Sequence, residues 1–256
     1  MRVRTFHTLL ILACAAGAAA AQTVWRVDAD ALGQNDGSSW ADAFTDLQDA
    51  LRLYSACNTF GEIWVTGMLE RFGRLHPALG FDLRLTDRHV DLATEGIDLA
   101  FRLGRTETQS LKARKLGSFR SVLVASPDYL ARRGAPETPS DLATHDCIID
   151  TNRRNARSWA FGPDPNSPAV TVRGRFQVNS ARAAVELAAK GLGIAYAPRF
   201  ACTDALSAGQ VVQVLADQPS EGNPLNAVYL EGRVLPRKIR ALIDFAAEDL
   251  RTTDIL

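Results

Sequence analysis

From residue 68 to residue 250, short apolar strands alternate with amphipathic helical stretches, and this alternation constrains the fold more than any other feature. It implies an α/β fold with mostly parallel sheet, because each helix must bury its apolar stripe against a sheet face. The spacing predicts a helix over 68–76, ended by Pro77, and a strand over 81–85, where apolar and polar residues alternate. A second helix is predicted over 87–95, stopped by Gly96, since glycine readily accepts the left-handed C-cap conformation. Strands follow at 97–103 and 122–125, and a short helix begins at 140–143. Segments 170–172 and 175–178 flank Gly174 as a hairpin. A helix over 181–190 stops at Gly191, and 194–196 is a buried strand. Strands at 211–215 and 227–230 precede a last helix, opened by Pro236 and running to Leu250, with Ile239, Leu242, Ile243 and Phe245 on its apolar face.

The first 65 residues have a different texture. Arg2 and Arg4 precede an apolar run at 9–16, and Ala19-Ala20-Ala21 offers a small-residue cleavage site before Gln22. Residues 1–21 therefore read as a secretory signal peptide, too short to span a bilayer, and no membrane contact is expected of the mature form. Residues 24–27 alternate as a strand, 33–39 carry turn chemistry, 42–53 have a helical period, and 61–65 read as a strand.

Of the 256 residues, 46% are apolar and 23% charged, enough for a sizeable core in one or two domains. The net charge of zero supplies no clustered excess of Lys and Arg for phosphate backbones, so no direct DNA binding is expected. Cys14 lies in the leader, and Cys57, Cys147 and Cys202 are too widely spaced for a zinc site; neither a metal nor a cofactor is expected. Cys147 stands in an apolar run and reads as a buried thiol.

Catalytic signals are scarce. There is no G-x-S-x-G elbow and no P-loop. Gly191-Leu192-Gly193 lacks the final glycine of a dinucleotide fingerprint and follows a helix rather than a strand. His145-Asp146 and Ser126 form a triad only on paper, because sequence supplies no geometry. Asp28, Asp30, Asn35 and Asp36 lack the spacing of a calcium loop. The chain reads as a non-enzyme.

Several segments, in order, carry a family resemblance: Leu83 to Leu92 (LRLTDRHVDL), Glu95 to Gly104 (EGIDLAFRLG), Leu111 to Gly117 (LKARKLG) and Val122 to Leu130 (VLVASPDYL). They continue through Pro139 to Cys147 (PSDLATHDC), Val178-Asn179-Ser180, Gly191 to Pro198 (GLGIAYAP) and Leu235 to Phe245 (LPRKIRALIDF). Together they resemble the effector-binding domain of LysR-type transcription regulators over residues 68–251. The resemblance implies a two-lobed, type 2 periplasmic-binding-protein-like α/β fold with a central cleft. Lobe one would comprise 61–119 plus 221–251, and lobe two 120–220. It also implies a small-molecule effector, such as a carboxylate, and a homodimer.

By the same resemblance, ligand-contacting positions fall on Thr66 at the first strand–helix turn, Arg102 and Gly104 at a strand end, Ser126, and Asn179-Ser180 before a helix. Each has a second reading: Ser126, Asn179 and Ser180 are also plain N-caps, and Arg102 also suits a surface ion pair. Residues 22–65 resemble the N-terminal cap of secreted parallel β-helix proteins, through WRVDA, NDGSSWADAF, LQDAL and EIWV. No coils follow to bury that cap, so the chain reads as chimeric, its first lobe-one strand borrowed from Glu62 to Val65. The family's helix-turn-helix is not recognised. Two functions stay open: a LysR sensor domain, cytoplasmic in the family role, and an exported solute-binding protein of the same fold if the leader works.

Overall fold

The computed structural model describes residues 50–55, 57–87, 90–104, 110–153, 155–162, 168–218, 222–231, 235–253 and 255. The chain divides into Met1–Leu47 and Gln48–Leu256, and every described residue belongs to the second unit. The leader, the 24–27 strand and the 33–39 turn fall outside the described residues.

Two five-stranded mixed sheets carry the fold. The first has the order β2 (Gly80–Leu85), β1 (Ala50–Ser55), β3 (Leu99–Leu103), β12 (Asn223–Leu230) and β4 (Leu111–Phe119). β1 pairs in parallel with β2 and β3, while β12 runs antiparallel to β3 and β4. The second has the order β11 (Val212–Val214), β5 (Ser121–Ala125), β10 (Ile194–Pro198), β6 (Asp146–Asp150) and β9 (Arg173–Val178). A small antiparallel pair, β7 (Ser158–Ala160) with β8 (Ala169–Thr171), stands apart. The chain crosses between the sheets at Arg120, where β4 runs into β5, and returns between β11 and β12.

The sequence misplaces the first strand. Its helical period at 42–53 gives way to strand β1, because Leu51 and Leu53 point into one core while Tyr54 points into another. A central strand buried on both faces needs this alternation. The predicted strand at 61–65 is helical instead: α1 (Asn58–Phe60), a π-helical turn (Gly61–Val65) and α2 (Thr66–Leu75) run on without a break. Trp64, Val65, Met68, Leu69 and Phe72 are buried while Ile63 is exposed, a helical stripe that no two-residue alternation produces. The first sheet therefore takes a strand from Ala50 to Ser55, and none is supplied by Glu62 to Val65.

Two further expectations change. The helix over 87–95 is a turn at 92–96 among the described residues, although Gly96 does take a positive φ of 64°. Segments 170–172 and 175–178 form no hairpin: β8 pairs with β7, and β9 lies parallel to β6. Gly174 is needed for this pairing, since a Cβ there would stand 1.5 Å from the carbonyl oxygen of Cys147. Strand β4 and helix α5 (Arg199–Ser207) were not anticipated. The other helices are α3 (Pro127–Arg133), α4 (Ala181–Ala189) and α6 (Arg237–Thr253).

Aromatic packing joins the halves. Phe200 of α5 lies 5.4 Å from Phe60 and 5.7 Å from Phe119, edge-on to both rings, and belongs to the first sheet's core. Ring pairs of this kind add about 0.5–1.5 kcal/mol beyond area burial.

Candidate functional site

The register places several strand ends at one edge of each sheet. In the second sheet, Ser121 pairs with Pro198 and Asp150 with Val178, so these ends meet beside the crossing at Arg120. In the first sheet, Ser55 pairs with Leu85, and Phe101 pairs with Ser55, which sets Thr86, Asp87 and the end of β3 at the corresponding edge. Helix α1 rises from the first edge and α4 from the second.

Their N-termini meet. The Arg182 backbone N–H donates to Thr59 Oγ1 at 3.4 Å, and the Arg182 guanidinium stands 3.5 Å from the Glu62 carboxylate. Asp87 caps α1 from a distance in sequence, accepting from the Asn58 backbone N–H at 3.1 Å and from Asn58 Nδ2 at 2.8 Å. Asn58 Nδ2 is thus fixed as a donor, and Asn58 Oδ1 remains buried with no hydrogen-bond partner among the described residues.

Asp150 is buried at the end of β6, close enough to Asp87 and Cys57 for its charge to be felt at both, and its Oδ1 accepts from the Asn152 N–H at 3.0 Å. Burial pushes its carboxyl pKa up, and the neighbouring Asp87 charge adds to the rise, while Arg153 opposes it. The Arg153 guanidinium lies 3.9 Å over the Tyr196 ring and donates to Ser121 Oγ and to the Tyr196 carbonyl, each at 3.3 Å. Burial pulls its pKa down. The Cys57 thiol beside them is pushed up to about 11, by burial first and then by the charges of Asp87 and Asp150. One cation, two carboxylates, an orphaned amide oxygen and two helix N-termini therefore share one polar cleft.

Four of the six residues expected to contact a ligand lie at these two edges. Ser180 caps α4, accepting from the Ala183 N–H at 3.3 Å, and the Asn179 carbonyl accepts from Asn152 Nδ2. Gly104 follows β3 with a φ of 89°, donates to the Pro224 carbonyl at 2.7 Å and accepts from Asn226 Nδ2 at 3.0 Å. Arg102 is buried near the end of β3, its Nη2 donating to the Val90 carbonyl at 3.0 Å, and its Nε has no partner among the described residues. Burial lowers its pKa, with Tyr54 as the neighbour that counters the fall. It lies near Tyr54 and makes no ion pair among the described residues, in place of the surface ion pair that sequence allowed.

Thr66 and Ser126 do not join the cleft. Thr66 lies inside the helix, exposed, its hydroxyl donating to the Glu62 carbonyl at 2.9 Å, because the strand–helix turn sits at Ser55 to Asn58. Ser126 follows the far end of β5 and caps α3, accepting from the Tyr129 N–H at 3.1 Å. Five strand residues separate it from the cleft edge, about 16 Å at ~3.3 Å per residue. His145 Nδ1 pairs with the Tyr129 hydroxyl at 3.0 Å, so no Ser126–His145 couple forms. Among the described residues no group of three or more His, Cys, Asp or Glu side chains is placed to hold a metal.

Sequence reasoning missed Asn58, Asp87, Asp150 and Arg153. The signal for the last two was present: Asp150-Thr151-Asn152-Arg153 follows a buried apolar strand, and in open α/β sheets strand C-termini open into the binding crevice.

A bilobal α/β domain with a polar cleft at facing strand ends is a small-molecule-binding domain by its architecture. The family model described as LysR substrate binding domain matches residues 46–251, and the chain belongs to that family. An HTH-type transcriptional regulator of Haemophilus influenzae is 32% identical over 203 residues, covering 78% of this chain and 70% of the relative. The probable HTH-type regulator LtrA of Klebsiella pneumoniae is 31% identical over 73% of this chain and 62% of its own length. The chain thus spans between 62% and 70% of these two curated relatives. Among solved structures, the CrgA regulatory domain of Neisseria meningitidis superposes with a TM-score of 0.70 at 26% identity, covering 78% of this chain and 98% of that one. The full-length Vibrio cholerae virulence activator AphB superposes at 0.67 with 27% identity, over 78% and 68%. The chain is an effector-binding domain of the LysR type.

Proposed function

We propose that the effector of this domain is a small carboxylate that also carries a hydroxyl or amino donor. The observation that carries this reading is the polar set gathered at the facing strand ends, in which Asn58 Oδ1 is buried without a partner among the described residues. Arg153 and the N–H groups at the starts of α1 and α4 favour an anion. Asn58 Oδ1 and the carboxyls of Asp87 and Asp150 ask for a donor. Ligand seated there would bias lobe closure by its differential affinity for the closed state. In a regulator that bias would set transcription, through a homodimer and a DNA-binding part. This chain alone should form no specific operator complex in a gel shift at physiological salt. A thermal-shift screen of hydroxy acids, amino acids and aromatic acids tests the effector class, because a ligand of the folded state raises its melting point. Stabilisation by such a compound that is lost in Arg153→Met supports the reading, and a panel without any shift contradicts it.

We further infer that residues upstream of the LysR domain come from another source. A family match that begins at residue 46 and a strand β1 that begins at Ala50 support a seam upstream of β1. Sequencing the genomic locus across codons 40–55 tests this, and a continuous gene with relatives of the same layout contradicts it. Export would follow only if the leader is cleaved, and a mature start at Gln22, rather than Met1, is the mass-spectrometric sign of it.

A further inference from the structure

The far end of the first sheet holds a cavity of about 390 Å³, rimmed by Lys112, Arg114, Arg240 and Asp244 and floored by Tyr229, Leu235 and Ile243. Its volume is in the range of small-ligand sites. Lys112 and Arg114 are two residues apart on β4, so the pleat turns both to one face, the face on which Leu116 packs with the α6 core. Arg240, Ile243 and Asp244 lie at i, i+3 and i+4 on α6 and share its facing side. Tyr229 is the cross-strand partner of Lys112.

Charge in this cavity is unbalanced. Arg114 is paired with Asp244. Lys112 reaches Glu231 only at 3.9 Å, and Arg240 has no ion pair among the described residues. Three cations against one lining carboxylate, with Glu231 beside Lys112 from outside the lining, leave a net positive charge around an apolar floor. The cleft is elsewhere: Lys112 and Phe119 stand seven residues apart on β4, about 23 Å at ~3.3 Å per residue, and Phe119 is the one at the crossing.

We propose that this cavity is a second ligand site, for a small organic dianion such as an aryl phosphate or an aromatic dicarboxylate. The apolar body lies on Tyr229, Leu235 and Ile243. The charged groups meet Arg240 and Lys112, with Arg114 held in place by Asp244. A guanidinium beside an ammonium suits doubly charged oxygen groups, the first by its planar fork and the second as a point charge. This site is independent of the effector class proposed for the cleft.

Isothermal titration of the full chain with phenyl phosphate, at fixed ionic strength, tests it. The expected result is one-to-one saturable binding with Kd at or below about 1 mM. The double variant Lys112→Gln/Arg240→Gln weakens it by about tenfold or more, and Arg240→Gln alone gives part of that loss. Both positions are exposed, so the fold should persist, and a melting curve checks this. Lys115→Gln, which removes an exposed cation from the other face of β4, leaves binding unchanged, as does Arg153→Met in the cleft. No saturable heat up to about 10 mM overturns the proposal, as does a double variant that binds like the parent or an equal loss in Lys115→Gln or Arg153→Met.

Discussion

Trp64 donates its indole N–H to Asp249 Oδ2 at 2.9 Å, joining residues 185 apart in sequence. The same carboxylate takes both arms of Arg71, at 2.6 Å from Nε and 2.7 Å from Nη2. Helix α6 is thereby locked to the helix that runs from Asn58 to Leu75, in the stretch where sequence placed a strand. Asp249→Ala strands a buried indole N–H and removes a bidentate partner from a half-exposed arginine. The expected loss is about 2–4 kcal/mol, allowing for solvent screening of Arg71. Urea denaturation reads it, and a loss below about 0.5 kcal/mol would mean that the lock is absent.

Gly174→Ala places a methyl carbon against the Cys147 carbonyl, where backbone rather than a flexible side chain blocks it. The β6–β9 pairing that holds Asp150 and Ser180 at the cleft edge must shift. Destabilisation of about 3 kcal/mol or more is expected, by melting temperature or loss of soluble chain. A variant as stable as the parent would show that β9 is not in this register.

Much of the fold could be read from the order of strands and helices, because β2, β3, β5 and β10 carry two-residue alternation or short buried runs between turn residues. The failures have identifiable causes. At 61–65, Ile63 and Val65 mimic a strand, and only the buried series from Trp64 to Phe72 shows the helix. Strand β4 is an edge strand with four exposed residues in succession, so it lacks an apolar signature. The cleft residues were partly legible: Asn179 and Ser180 precede a helix start, as an N-cap must. Asn58 and Asp87 were not, since their contact spans 29 residues and depends on β1 and β2 lying side by side.

The pH dependence of stability should carry a mark of Asp150. Its folded pKa lies above the ordinary carboxylate value, so its contribution favours the folded state at acid pH and is lost as pH rises through the folded pKa. Asp150→Asn is expected to raise the melting temperature at pH 7–8, with the gain shrinking toward pH 4, the usual range of an unfolded Asp. Melting curves across that range check it, and a variant less stable than the parent at neutral pH would contradict a destabilising buried charge.

The described thiols should be inert in the folded chain. Cys57 is pushed up to about 11 and Cys147 and Cys202 to about 12, chiefly by burial, so little thiolate exists near neutrality. Iodoacetamide at pH 8 should leave the three peptides unmodified until urea is added, by peptide mass spectrometry. Rapid native labelling of Cys57 would show that the cleft is more open and less acidic than described.

Hydrogen exchange with and without the carboxylate that gives the largest thermal shift bears most directly on the cleft as the effector site. Amides at 58–60, 151–153 and 180–182 should slow together, since they belong to the two facing edges. Slowing confined to one edge, or to residues around Lys112 and Arg240 alone, would contradict it.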